Sequence, residues 1–192
     1  MVEKQPPYTL KSREMNMQLN RTELRAKKLS RKDFLKLPRN PIYVVLDSLK
    51  CPQNIGTIIR LSDALLVKRV YLCGDTVVPP NKKIKAGSRG AEKWVPWEYR
   101  QDIVQLITEL KQKGIFILSS EISTSSVNYY EAEIKLPVCV VLGRENRGIR
   151  DEVLNLSDCT VHLPVFGMLA SINVAATSSV LLYEILNRII KG

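Results

Sequence analysis

The chain has 192 residues, of which 45% are hydrophobic and 25% charged; this composition is that of one folded domain with an extension and excludes a wholly disordered chain. No apolar run is long enough to span a membrane, and the polar, basic N-terminus lacks the apolar segment of a signal peptide, so we expect a cytoplasmic protein. Residues 1–40 hold eleven Lys and Arg against four Asp and Glu, which is +7 of the total charge of +10; this favours a polyanionic partner, with a solvated basic helix as the alternative.

The first 40 residues are predicted to form a basic, partly helical extension. Residues 15–37 show a weak helical pattern, and Ser30 followed by Asp33 resembles a helix start. Pro38 and Pro41 then interrupt the chain, so we place a domain boundary between residues 1–40 and 41–192.

The rest of the chain alternates between strand-like and helix-like segments. Apolar runs bounded by turn residues predict buried strands at 42–46, 67–72, 115–118, 138–142 and 160–163. Helices are predicted at 52–66, at 102–113, from about 151, and at 171–190. The alternation indicates an α/β domain with a mostly parallel sheet and helices on both faces. Because ligands of such sheets bind beyond the carboxyl ends of the strands, the loops after these ends are the candidate site.

The first of these loops leads into Asn54-Ile-Gly-Thr-Ile-Ile-Arg60. Gly56 permits close backbone approach, and Arg60 places a permanent charge in an apolar helical turn, which is costly unless it has an anionic partner. A helix-capping Asn54 and a structural ion pair of Arg60 would explain the same residues.

The second loop, Leu142-Gly-Arg-Glu-Asn-Arg-Gly148, follows a buried strand. Its glycines would let the backbone approach a ligand. It is neither a dinucleotide-binding G-x-G-x-x-G nor a phosphate loop, since no G-K-[ST] follows. An ordinary strand-to-helix turn is the alternative.

The third loop, Leu163-Pro-Val-Phe-Gly-Met-Leu-Ala-Ser-Ile-Asn173, opens the last predicted helix. Capping of the helix start explains Ser171 or Asn173 but not both, nor the extended apolar loop before them.

The three segments, in this order and at these separations, resemble the three motifs of the SpoU (TrmH-type) branch of the SPOUT RNA ribose 2′-O-methyltransferases. The resemblance runs from about residue 40 to residue 190, and Lys85-Ala-Gly-Ser-Arg-Gly-Ala91 resembles a small-residue segment of the same family. It implies a C-terminal part threaded as a deep trefoil knot, S-adenosylmethionine as cofactor, and a dimer formed through the last helix, residues 171–190.

The resemblance also implies roles for individual residues. Arg60 would be catalytic, Asn54 and Glu145 would orient it, and Ser171 and Asn173 would complete the site. A guanidinium is hardly ever deprotonated in proteins, so Arg60 holding a neighbouring phosphate is easier to defend than Arg60 as a general base. The cofactor pocket would be lined by Ser119, Gly143, Leu163, Ser171 and Ile172.

The sequence further suggests where RNA would bind. Arg144 and Arg147 lie inside the second motif, and Lys82, Lys83, Lys85 and Arg89 form a basic segment that could contact phosphates or be a solvated loop. We expect RNA as partner, with tRNA preferred over rRNA, and residues 1–40 as an RNA-contacting arm. A catalytically silent RNA-binding protein and a base methyltransferase are the alternatives.

The cysteine and histidine content argues against a metal site. Cys51, Cys73, Cys139 and Cys159 are scattered, no C-x-x-C pair occurs, and His162 is the single histidine. We therefore expect reduced thiols and no bound metal.

Overall fold

The structure, a computed structural model, describes Thr22 and residues 30–191. The chain divides into two compact units, Met1–Pro38 and Arg39–Gly192. In the first unit, helix α1 spans Arg31–Phe34. Ser30 Oγ accepts a hydrogen bond from Asp33 N at 3.2 Å and donates one to Asp33 Oδ2 at 2.6 Å, which confirms the predicted helix start. Most of the helical pattern predicted for residues 15–37 lies outside the described residues, and the role of residues 1–40 stays a prediction.

The second unit is built on one seven-stranded sheet. Its strands are β1 Asn40–Asp47, β2 Val67–Cys73, β3 Trp97–Arg100, β4 Phe116–Ser120, β5 Val127–Asn128, β6 Val138–Leu142 and β7 Cys159–His162. Their order is β3-β2-β1-β6-β4-β7-β5, and every pair is parallel. The predicted mostly parallel sheet is therefore confirmed, and the central strands β1 and β6 owe their apolar runs to burial on both faces.

Helices cover both faces of this sheet, as the alternation of the sequence predicts. They are α2 Pro52–Ala64, α3 Lys82–Ser88, α4 Ile103–Gln112, α5 Asp151–Leu156 and α6 Val174–Lys191, with a 3₁₀ turn at Ala91–Lys93. Successive side chains of β1 point to opposite faces. Val44 joins the cluster formed by α2, α3 and α6, whereas Val45 joins the cluster formed by α4 and α5.

The differences from the sequence prediction include two unpredicted elements and one displaced helix start. The segment 81–93, which lacks a long apolar stripe, contains α3, started by Asn81 Oδ1 accepting from Lys83 N and Ile84 N at 2.9 and 3.2 Å. The edge strand β3 was not predicted because its residues are only partly buried and carry no apolar run. Helix α6 begins at Val174 rather than residue 171, because the Asn173 side chain caps it and leaves Ser171 in the preceding loop.

Gly56 serves the packing of two helices. A Cβ atom there would lie 2.6 Å from Ile84 O and 3.0 Å from Gly87 Cα, and both atoms belong to the backbone of α3. The close backbone approach expected of Gly56 is therefore an approach to α3. This contact holds the start of α2 against α3.

A largely buried ion pair joins the end of β1 to the residue before α5. Asp47 is fully buried, and its carboxylate accepts hydrogen bonds from Arg150 Nη2 at 2.9 Å and from Ser48 Oγ at 2.9 Å. The hydrogen bonds that Arg150 donates to Asp47 raise the pKa of the Arg150 guanidinium. The ion pair fixes the position of Arg150, between the second motif and α5.

Replacing Arg150 with alanine is expected to lower the free energy of unfolding by about 2–3 kcal/mol, because Asp47 would remain buried without its cation. Urea unfolding measures this change. Arg147→Ala is the matched control, since Arg147 is exposed and its loss should change stability by no more than about 0.5 kcal/mol. Equal stabilities of the two variants would contradict the role of the pair.

The four cysteines are free, and burial raises the pKa of the Cys73 thiol to about 12. Within residues 30–191 and at Thr22, no group of three or more His, Cys, Asp and Glu side chains is placed to hold a metal ion. Over the same residues, no helix has the length and apolar character required to cross a membrane.

Candidate active site

The site lies where four neighbouring strands end. Strands β1, β6, β4 and β7 are adjacent and parallel, so their carboxyl ends meet at one edge of the sheet. The three segments singled out in the sequence follow β1, β6 and β7. The structure thus confirms that the predicted loops share one edge.

Hydrogen bonds join one polar residue from each of the three segments. Asn54 Nδ2 donates to Glu145 Oε1 at 3.3 Å, and Asn173 Nδ2 donates to Asn54 Oδ1 at 3.2 Å. Asn173 Oδ1 also accepts from Ala175 N at 2.9 Å, which ties the cluster to the start of α6. We call Asn54, Glu145 and Asn173 the polar triad; it unites residues up to 119 positions apart in the chain.

Glu145 also stabilises the start of α2. Its carboxylate accepts from Lys50 N at 3.2 Å and from Cys51 N at 3.3 Å, immediately before the first residue of that helix. The side chain of Cys51, at the capping position, accepts no hydrogen bond from a backbone N–H of the helix. A negative charge at a helix N-terminus is favourable, so Glu145 holds Asn54 and the helix start in one arrangement.

A cavity of about 410 Å³ opens beside the polar triad. Its walls come from the ends of β4, β6 and β7 and from the start of α6. The volume lies in the range of small-molecule sites, roughly 300–1,000 Å³. Residues that line it include Ser120, Glu121, Gly143, Arg144, Glu145, His162, Leu163, Ser171, Ile172 and Asn173.

Two glycines let the second motif close on itself beneath the cavity. A Cβ atom on Gly143 would lie 2.5 Å from Ile149 N, in backbone that cannot move aside. Gly148, at a φ of +62°, leaves room for the Glu121 carboxylate, which accepts from Ile149 N at 2.8 Å. Arg144 N and Gly148 N each donate to the other residue's carbonyl, at 3.1 and 2.9 Å. The second motif is therefore a closed loop.

Four of the five residues expected to line a cofactor pocket line the cavity, and the fifth is buried inside a strand. Gly143, Leu163, Ser171 and Ile172 line the cavity. Ser119 lies inside strand β4, which continues to Ser120. It is fully buried, and its hydroxyl lies 2.6 Å from Ser157 Oγ.

Two cavity residues were not found from the sequence. Glu121 follows directly after the end of β4. The predicted strand ended two residues too early, at 118, so Glu121 was not recognised as a residue at a strand end. His162 lines the cavity, and its Nδ1 lies 3.0 Å from Ser126 Oγ.

Arg60 stands apart from the triad. Six residues along a helix turn a side chain by about 120° from its starting direction, so Arg60 and Asn54 face different ways. The Arg60 side chain is exposed, and no ion pair links it to another described residue. The alternative interpretation of Arg60 as half of a structural ion pair has no support among the described residues. An exposed, unshared guanidinium is instead open to an external anion.

The predicted RNA-contacting residues fall into two groups. Lys82, Lys83, Lys85 and Arg89 are exposed on α3 and at its end, next to the start of α2, and Arg147 is exposed on the second motif. Arg144 instead lines the cavity.

Comparison with known proteins accounts for this arrangement. The model of the SpoU rRNA methylase family matches residues 41–183. The chain belongs to the SpoU family. A tRNA (guanosine(18)-2′-O)-methyltransferase of Aquifex aeolicus is 31% identical over 163 residues, which cover 84% of this SpoU chain and 75% of that enzyme. The enzyme of the same name from Escherichia coli K12 is 31% identical over 146 residues; this covers 74% of the SpoU chain and 62% of the relative's length.

Solved structures show the same SpoU fold. The A. aeolicus TrmH/SpoU tRNA-modifying enzyme superposes with a TM-score of 0.74 at 28% identity, covering 82% of this chain and 79% of its own. The methyltransferase AviRb from Streptomyces viridochromogenes, solved with AdoMet, superposes with a TM-score of 0.74 at 22% identity, covering 83% of this SpoU chain and 65% of its own.

Proposed function

We propose that this chain is an S-adenosylmethionine-dependent methyltransferase that modifies a ribose 2′-hydroxyl of RNA. The observation that carries the proposal is the polar triad at the mouth of a cavity of small-molecule size, in a chain that belongs to the SpoU family. The relatives named above as 2′-O-methyltransferases support the choice of the ribose oxygen over a base atom.

The cavity suits the cofactor in the chemistry of its lining. Leu163, Ile172 and the backbone of Gly143 offer an apolar wall with nearby polar groups. Arg144 lines the cavity and forms no ion pair with a described residue, so its charge is available to an anionic group of a ligand. When bound, S-adenosylmethionine supplies an electrophilic methyl group.

The residues of the chain would mainly position the substrate hydroxyl. Glu145 and Asn54 hold each other and the start of α2, so the helix that carries Arg60 has a fixed position relative to the cavity. Arg60 would hold the phosphate next to the reacting ribose, and the hydroxyl proton would leave to that phosphate or to water. Ser171, exposed in the loop before α6, would contact the same nucleotide.

We propose tRNA as the preferred substrate, and rRNA as the second candidate. Relatives from two bacteria carry names that specify a tRNA guanosine, and a relative from Ralstonia nicotianae is named a 23S rRNA methyltransferase. Lys82, Lys83, Lys85, Arg89 and Arg147 would contact phosphates, since all five are exposed beside α2 or on the second motif. Residues 1–40, with their net charge of +7, would extend this contact, and the cytoplasm would be the site of action.

A trefoil knot in the C-terminal part belongs to the same proposal. The strand order supports it: β5 lies at the sheet edge, β6 returns to the far side of β4, and β7 then enters between β4 and β5. A C-terminal strand placed between two strands formed earlier in the chain is what threading of that part would produce, and ordinary sheets avoid such threading.

We also propose that two copies associate through α6. Ala176, Val180, Tyr183, Asn187 and Ile190 form an exposed stripe at helical spacing, opposite the buried residues of that helix. In the loop before it, Phe166 is 97% and Leu169 78% exposed. A mostly apolar stripe on one helix, with exposed apolar residues in the loop before it, fits a symmetric contact.

Tyr183→Glu is expected to convert a dimer of 21.8 kDa chains into a monomer, because the charge would be buried at the centre of the contact. Sedimentation velocity measures the mass. Val78→Glu, at an exposed valine outside the stripe, should leave the dimer intact. A monomeric wild-type protein would contradict the proposed association.

One reaction tests the proposed function. The protein is incubated with tRNA and rRNA and with S-adenosylmethionine labelled in its methyl group, and the nucleosides are then analysed by mass spectrometry. A label on the ribose of one nucleotide is the expected result. A label on a base would identify a base methyltransferase, and RNA binding without cofactor binding would identify a catalytically silent protein.

A further inference from the structure

The Arg144 guanidinium occupies an unusual position for a surface-loop arginine. Arg144 lies in the closed loop of the second motif, and its backbone is fixed by two hydrogen bonds to Gly148. Its side chain is partly buried and lines the 410 Å³ cavity. Nε is buried without a hydrogen-bond partner in the part of the chain that the structure describes, and none of the ion pairs there includes Arg144.

Arg144 lines the cavity, and no described carboxylate lies within ion-pair distance of it, so its charge favours an anionic group on the ligand. Two carboxylates also line the cavity, but both have partners. Glu121 accepts from Ile149 N and Ile122 N, and Glu145 belongs to the polar triad. Neither neutralises Arg144 within the protein.

We propose that Arg144 binds the carboxylate of the methionine part of S-adenosylmethionine, so that it acts as a cofactor-binding residue. This rests on the proposed function, which places that cofactor in the cavity. A planar guanidinium pairs with a carboxylate through two parallel hydrogen bonds, which a lysine cannot reproduce. Arg144 thereby fixes the end of the cofactor that lies farthest from the adenine ring.

The test compares two ligands in two proteins by isothermal titration calorimetry. The ligands are S-adenosylmethionine and its decarboxylated form, which keeps the adenosine, the sulfonium and the amine. The wild-type protein is expected to bind the decarboxylated form about ten- to a hundredfold more weakly. Arg144→Gln is expected to bind both ligands with similar affinity, because the group that senses the carboxylate is gone.

Two further variants sharpen the comparison. Arg147→Gln, an exposed arginine in the same loop, should discriminate between the ligands as the wild type does. Arg144→Lys should keep part of the discrimination, since it keeps the charge but loses the paired donors.

The outcomes separate the inference from the proposed function. If the wild type binds neither ligand, the proposed function fails. If it binds S-adenosylmethionine and Arg144→Gln discriminates as strongly as the wild type, only the role of Arg144 is overturned. A variant that loses affinity for RNA alone would overturn it as well, and would place Arg144 at the RNA.

Discussion

Replacing Arg60 with alanine is expected to abolish methyl transfer, with a fall in kcat of at least about 10²–10³-fold, while S-adenosylmethionine still binds. Arg60 is exposed, does not line the cavity, and shares its charge with no described carboxylate. Its removal should therefore take away the grip on a substrate phosphate and leave the cofactor site unchanged. Single-turnover kinetics with labelled cofactor measures the transfer, and calorimetry measures the binding.

Arg69→Ala is a suitable control for the Arg60 variant. Arg69 is also an exposed arginine, but it pairs with Glu98 at 2.6 Å on β2, away from the polar triad. Its loss should leave transfer at the wild-type rate. Near-normal transfer by Arg60→Ala would show that the catalytic assignment of Arg60 is wrong.

Gly143→Ala is expected to disable the protein through its backbone. The added Cβ would lie 2.5 Å from Gly148 C and from Ile149 N, so the closed loop of the second motif would have to open. We expect a loss of about 2–3 kcal/mol in the free energy of unfolding. Since the same loop carries Glu145, a displacement of about 1 Å should also reduce transfer by about 10²-fold. Urea unfolding measures the first effect, and single-turnover kinetics with labelled cofactor measures the second.

The third motif provides the control for this glycine. A Cβ atom on Gly167 would meet nothing within 4 Å, so Gly167→Ala should keep wild-type stability and cofactor affinity. If Gly143→Ala were as stable and as active as Gly167→Ala, the close packing of the second motif would not matter to the site.

Much of the fold could be predicted because its signals are local. The strand at 138–142 was predicted with the bounds that the structure has, since a run of five buried apolar residues between turn residues has few other interpretations. The helix predicted at 102–113 was equally clear from its apolar stripe, and the structure places it at Ile103–Gln112 with Asp102 as its capping residue. Helix α3 and strand β3 were missed because short, partly exposed elements depend on packing against neighbours rather than on their own pattern.

The sequence by itself singled out the three residues of the polar triad, and the tertiary structure decided what each of them contacts. Asn54, Glu145 and Asn173 could be selected from their motifs, but their mutual hydrogen bonds depend on four strand ends that meet only in the folded sheet. The environments of two arginines were also not evident from the sequence. Arg60 is exposed, whereas Arg144, which was predicted to contact RNA, lines the cavity. The spacing of residues within one segment does not define the direction of a side chain relative to distant loops. That direction decides whether an arginine faces solvent, where a phosphate can bind, or lines a ligand cavity.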